Sequence, residues 1–247
     1  MRIKPLTQIY DNYTSEDFEV WEILFERQMK NLENHVSLDF LKALEKVQFR
    51  SDRIPDFTEV NGILQKQTGW GLHTVPCIST QPDFFNLLSK KRFTATCWLR
   101  GKQELDYLEE PDMFHDVFAH TPLLSNEAYC AFFKSMGNLA MKHINNPNII
   151  EKLGRLYWFT IEFGMIYENR NMKVYGAGII SSAGETKNSL SNNPEKIDFS
   201  VSKVFETDYR TDILQSKYFV IDSFEQLLDS IPQIENAVNE ISLYRHS

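Results

Sequence analysis

The sequence predicts an α+β fold, mainly α-helical with a few short β-strands, in a single domain. Three observations lead there. Apolar residues recur at three- and four-residue spacing through most of the chain. Short β-prone runs gather after residue 170. No internal repeat or low-complexity linker divides the 247 residues, a length that suffices to bury one large core.

Taken in order, Thr14-Ser15-Glu16-Asp17 is a helix-capping signature, and Phe18, Trp21, Phe25, Met29 and Leu32 follow as one apolar face. Ser37 opens a second helix carrying Phe40, Leu41, Leu44 and Val47. A turn over residues 51–56 leads to a third helix, from about Asp56 to Thr68, with Gly69 just past its end. Leu72 to Ile78 reads as extended, and Thr80-Gln81-Pro82-Asp83 caps a helix with Phe84, Phe85, Leu87 and Leu88. Phe93 to Arg100 is a weak strand candidate. Helices are expected from Ser125 to about His143 and from about Ile149 to Arg170, separated by a loop at Asn145-Asn146-Pro147-Asn148. Lys173 to Ile180, Ile197 to Phe205 and Lys217 to Ile221 read as strands, with no βαβ alternation. A last helix from Ser223 to Ile231 precedes a tail from Pro232 to Ser247.

Composition excludes several classes. A hydrophobic content of 42% with 18 Phe belongs to a packed chain, not a disordered one. A net charge of −8 argues against a nucleic-acid partner and against an anionic membrane surface. No apolar run is long enough to span a bilayer, and residues 1–16 hold no signal-peptide core. Cys77, Cys97 and Cys130 lack metal-site spacing and read as reduced, cytoplasmic thiols.

Chemistry concentrates in Glu109-Glu110-Pro111-Asp112-Met113-Phe114-His115-Asp116-Val117-Phe118-Ala119-His120-Thr121-Pro122, which carries two of the six histidines. Pro111-Asp112 suits a first helical turn and Pro122 a stop. On a regular α-helix, residues five apart point about 140° away from each other. His115 and His120 therefore converge only if the helix loosens or ends between them. By itself the stretch fits a metal pair and two unrelated surface histidines equally well.

Glu162 sharpens the choice. It lies in Leu153-Gly154-Arg155-Leu156-Tyr157-Trp158-Phe159-Thr160-Ile161-Glu162-Phe163-Gly164-Met165-Ile166-Tyr167, with no other charge within five residues. That helix is apolar almost all round, so it is buried. A buried carboxylate needs a cation, a proton or a partner such as Arg or Tyr. Two histidines and a carboxylate form the set that binds iron(II) on one face and leaves positions open. The zinc-hydrolase patterns HExxH and HxxEH are absent. Asp116, next to His115, points away from any metal and suits a supporting or cofactor contact.

Three blocks in order resemble the pterin-dependent aromatic amino acid hydroxylases, most of all the bacterial phenylalanine 4-hydroxylases. They are residues 105–124 around the histidine pair, Tyr157-Trp158-Phe159-Thr160-Ile161-Glu162-Phe163-Gly164, and Tyr175-Gly176-Ala177-Gly178-Ile179-Ile180-Ser181-Ser182-Ala183-Gly184-Glu185. The resemblance covers roughly residues 55–230. It implies one hydroxylase-like catalytic domain, with residues 1–54 as an N-terminal helical extension, 231–247 as a tail, and no regulatory or tetramerisation domain. It implies iron(II) held by His115, His120 and Glu162. It implies tetrahydrobiopterin or another tetrahydropterin against Phe84 and Asp116. L-phenylalanine would be held by Arg100 at its carboxylate, with Asp112, Pro111, Trp158, Ser181 and Thr211 around it, Ser181 also bonding a ligand histidine. The implied reaction hydroxylates the ring with O2, giving L-tyrosine, in a monomeric cytoplasmic enzyme.

The chain departs from the family pattern at three places. Ala119 stands for a glycine before the second histidine, and Thr121 for a valine after it. Thr211 is neither the apolar residue that accompanies phenylalanine preference nor the acid that accompanies tyrosine preference. The alternatives are accordingly a relative acting on Tyr or Trp, one forming meta-tyrosine, or an inactive pterin- or amino-acid-binding protein.

Overall fold

Helix starts fall where the capping side chains predict them. The computed structural model describes residues 4–106 and 108–243; Tyr107 of the first motif block, residues 1–3 and the last four residues of the tail lie outside the described residues. Helix α1 (Ser15–Leu32) begins at a reciprocal cap between Thr14 and Asp17. Ser37 caps α2 (Leu38–Lys46) and Asp56 caps α3 (Phe57–Gln67). Gly69, at φ +75°, turns the chain out of α3. Strand β1 (Gly71–Thr74) follows, then α4 (Gln81–Ser89), capped by Thr80, and β2 (Arg92–Ala95).

β1 and β2 pair in parallel across α4. A second parallel crossover joins β5 (Glu195–Asp198) through α9 (Val201–Glu206) to β6 (Lys217–Ile221). The expectation of no βαβ alternation is thus corrected: the units are present, but their strands are only four or five residues long, too short for a clear periodic signal. The larger sheet runs β4-β3-β6-β5, with β3 (Met165–Glu168) antiparallel to β4 (Asn171–Val174) and parallel to β6.

Both candidate ligand-bearing segments are π-helical. The first is Phe114–His120 and the second, Trp158–Glu162, continues α6 (Pro147–Tyr157). Asn146 caps α6, so the predicted loop supplies its cap and first turn. Helix α5 (Glu127–Lys142) starts after Asn126 instead of at Ser125, which closes a short 3-10 turn after Pro122. The helix expected to reach Arg170 stops at Glu162, because the chain must turn at Gly164. A Cβ there would lie 2.2 Å from the Thr160 carbonyl oxygen and the Tyr175 hydroxyl.

The strands expected over 173–180 and 197–205 each change to helix part-way. After β4 the chain enters α7 (Ala177–Ser181), and Ser182 caps α8 (Ala183–Leu190), which the sequence reading missed. After β5 it enters α9. The last helix resolves into α10 (Phe224–Asp229), capped by Ser223, and α11 (Ile231–Leu243). Residues 231–243 are therefore helical where a tail was expected: Pro232 occupies a first turn, where proline is tolerated, and Ile234 and Val238 are buried.

The core forms around the first π segment. Phe114 and Phe118 stack at 4.6 Å, and Trp21, Phe25 and Phe40 pack their rings on that pair. The N-terminal helices thus wedge the segment from behind, leaving its histidines to face the other way. Among the described residues no helix is long and apolar enough to cross a membrane.

Candidate metal centre and substrate cavity

A cavity of about 760 Å³ opens beside the two π segments. All the predicted site residues except Asp112 line it. The five-residue spacing of the histidines, which a regular α-helix would splay, is met by i→i+5 winding rather than by the helix ending. His115 Nε2 and His120 Nε2 lie 3.3 Å apart. Glu162 Oε1 is 3.2 Å from the first and Oε2 3.0 Å from the second. One donor atom from each of the three residues falls within 4.8 Å of the others.

The hydrogen bonds set the chemistry of this cluster. The Ser181 hydroxyl donates to the Ala177 carbonyl at 2.8 Å, so toward His115 Nδ1, also 2.8 Å away, it accepts. The His115 proton therefore sits on Nδ1, and in the neutral ring Nε2 presents a bare lone pair to the Glu162 carboxylate. Lone pair facing lone pair is repulsive unless a cation lies between them. Imidazole and carboxylate donors without thiolate suit iron(II). Burial by itself would push the Glu162 carboxyl up, but positive charge at the histidine pair, carried by protonated rings or by a cation bound in their place, and the Tyr157 hydroxyl hold it down, to about 2 with the rings charged. The site thus keeps a carboxylate anion in an apolar setting.

Arg100 and Asp112 form a buried fork. Arg100 Nε and Nη2 donate to the Asp112 carboxylate at 2.9 and 2.8 Å, and the Arg100 backbone N–H adds a third bond at 2.9 Å. Asp112 is wholly buried behind the cavity wall, so it fixes the guanidinium and does not face the cavity. Asp116 accepts from the Thr96 N–H and hydroxyl, both at 2.8 Å, and burial pushes its carboxyl up. Phe84 meets Tyr157 edge-on at 5.1 Å. Trp158 stacks on Tyr209 at 4.4 Å and donates its indole N–H to Gln215 Oε1 at 3.0 Å. Pro111 and Thr211 stand in the wall.

The sequence pattern of the biopterin-dependent aromatic amino acid hydroxylases matches residues 4–243. The chain belongs to that family. The match begins some fifty residues earlier than the 55–230 span on which the resemblance was read, in keeping with the way α1 and α2 share the core. The phenylalanine-4-hydroxylase of Chromobacterium violaceum is 41% identical over 226 residues, covering 91% of this chain and 76% of that protein. That of Pseudomonas aeruginosa is 38% identical over 216 residues, covering 87% and 82%. A C. violaceum phenylalanine hydroxylase structure with bound iron(III) and oxidised cofactor 7,8-dihydrobiopterin superposes with a TM-score of 0.87 at 39% identity, over 93% of this chain and 84% of that one.

The family departures are accommodated within this hydroxylase. Ala119 lies inside the π segment with an ordinary negative φ, so no glycine is required. The Thr121 hydroxyl donates to the Asp116 carbonyl at 3.2 Å, satisfying an acceptor at the segment's end. Sequence reasoning missed Tyr157, whose hydroxyl donates to Glu162 Oε2 at 3.3 Å, and also Thr96, Glu185 and Gln215. For Tyr157 a signal existed: it precedes Glu162 by five residues, the same interval that separates the two histidines.

Proposed function

We propose that this hydroxylase converts L-phenylalanine to L-tyrosine with O2, using iron(II) and a tetrahydropterin. The observation that carries the reading is the convergence of two imidazoles and an anionic carboxylate, with no proton to share at His115 Nε2, on a cavity that also holds Arg100. When bound, the iron and the reduced pterin supply the activation of O2 and its electrons.

The chain's own residues bind, orient and exclude water. His115, His120 and Glu162 hold the metal, and Ser181 fixes the His115 ring and tautomer. Arg100 takes the amino acid's carboxylate: Asp112 already occupies Nε and Nη2, so the guanidinium plane is set before substrate arrives. Trp158, Pro111 and Thr211 line the space for the aromatic ring. Phe84 offers a face to the pterin, and Asp116, anchored by Thr96, stands beside it. The aromatic lining keeps the site dry once both organic partners are in place.

In this reading the enzyme is a single catalytic domain, monomeric and cytoplasmic. The free cysteines Cys97 and Cys130, both buried, support a reducing compartment. The test is an assay of purified protein with iron(II), O2, a tetrahydropterin and each of Phe, Tyr and Trp, separating para- from meta-tyrosine. para-Tyrosine from phenylalanine is expected. Iron binding without any hydroxylated product overturns the reading, and a meta product or a preference for Tyr or Trp corrects its substrate part. Light scattering on the eluting protein checks the monomer.

A further inference from the structure

One wall of the cavity, residues 207–216, has neither helix nor strand. It carries Tyr209 and Thr211 into the cavity, so something other than a regular hydrogen-bond ladder must fix its position. Gln215 does this. It is buried, and every one of its polar groups is used. Its N–H donates to Glu185 Oε1 at 2.9 Å, and its carbonyl accepts from Asn188 Nδ2 at 2.8 Å. Its side-chain NH2 donates to the carbonyls of Arg210 at 2.8 Å and Ile213 at 3.1 Å. Its side-chain oxygen accepts the Trp158 indole N–H at 3.0 Å.

This arrangement admits only a neutral amide in one orientation. Indole N–H is donor only, so an oxygen must face it; the two carbonyls are acceptors only, so an NH2 must face them. Glu185, which also accepts from the Tyr218 hydroxyl, anchors the far end of the tie. Trp158 is therefore held twice by the same segment: at its edge by Gln215 and at its face by Tyr209, 4.4 Å away and 19° from parallel.

We infer that Gln215 is a specificity-determining positioning residue: it ties Trp158 to the Thr211-bearing wall and so sets the gap into which the substrate's aromatic ring must fit. The inference rests on the function proposed above. It says that discrimination among aromatic rings depends on a residue whose hydrogen bonds reach none of the three iron ligands.

The test compares wild type with Gln215→Glu and Gln215→Leu. Gln215→Glu keeps size and the acceptor for Trp158, but sets a carboxylate against two carbonyls; Gln215→Leu removes the tie entirely. Two readouts are taken: kcat/KM of the iron-loaded enzyme for Phe, Tyr and Trp, and the dissociation constants of the same three amino acids for the iron-free protein. The two hydrogen bonds lost in Gln215→Glu correspond to a change of about 10-fold, so the ratio of phenylalanine to the larger rings is expected to fall by about that factor, and by at least as much in Gln215→Leu, which loses the bond to Trp158 as well. The KM for the pterin and the iron affinity should stay at their wild-type values. Equal losses for all three amino acids, or unchanged ratios, overturn the inference, because a merely structural residue would behave that way. If Gln215→Leu does not fold, Gln215→Glu alone decides. If wild type hydroxylates nothing, the proposed function fails, and the binding ratios still decide the role of Gln215.

Discussion

Replacing Ser181 by alanine deletes one oxygen, which accepts the His115 Nδ1 proton at 2.8 Å while donating to the Ala177 carbonyl. Two things are lost: the bond that selects the His115 tautomer and the bond that stops its ring from rotating. An orienting partner of a ligating histidine is generally worth about 10–100-fold in metal affinity, or about 1.4–2.7 kcal/mol. The lower end applies here. The His115 side chain is 17% exposed, so water can take over part of the acceptor role. Ser181→Ala is therefore expected to weaken iron(II) binding about 10-fold. Thr in its place keeps a hydroxyl and should weaken binding less. An anaerobic iron titration of the metal-free protein measures the effect, with the melting temperature as a check on folding. Iron affinity within about twofold of wild type would refute the hydrogen-bond account, as would a loss matched by Ser181→Thr.

Glu162→Ala should abolish iron binding and hydroxylation together, read by metal content after dialysis and by tyrosine formation. Asp112→Ala leaves the buried Arg100 guanidinium without its fork; urea titration should show a loss of about 3–5 kcal/mol, and the variant should need more phenylalanine to saturate. Burial raises the Glu185 carboxyl above its ordinary value. Between those two values the folded state keeps a proton that the unfolded chain releases, so stability from this group falls as pH rises through the window and is level above it. Glu185→Gln should flatten that stretch of the stability-versus-pH curve; parallel curves for variant and wild type would show that Glu185 does not titrate as described.

How much of this was legible in the sequence depended on distance along the chain. Thr14, Ser37, Asp56, Thr80 and Ser223 announced helix starts because a cap bonds to backbone two or three residues away. Glu162 announced itself as a carboxylate with no other charge within five residues in an apolar stretch, and that suggested the donor set. The changes from strand to helix at Ala177 and Val201 were illegible because short apolar runs carry no decisive period. Pro232 was misleading, since a proline that ends one helix can equally begin another. Gln215 was beyond reach: its meaning lies in Trp158, fifty-seven residues away, and in carbonyls whose directions only the folded chain defines.

The widened turns also constrain how this stretch can be edited. Each holds its ligand by a count of residues. Deleting one residue between His115 and His120 would leave the histidines four apart, which an ordinary α-helix places on one face. The pair would survive, and so would the direction of the chain after it, because an i→i+5 turn is an ordinary helical turn that has absorbed one extra residue. An inserted residue has no such outlet: with the turn already widened, it would rotate everything after it by about 100°, carrying Pro122 and α5 off the surfaces they now pack against. Identity can drift here, as Ala119 and Thr121 illustrate, while insertions cannot. Gaps in an alignment of functional relatives that fall within 114–120 or 158–162 should therefore be single-residue deletions.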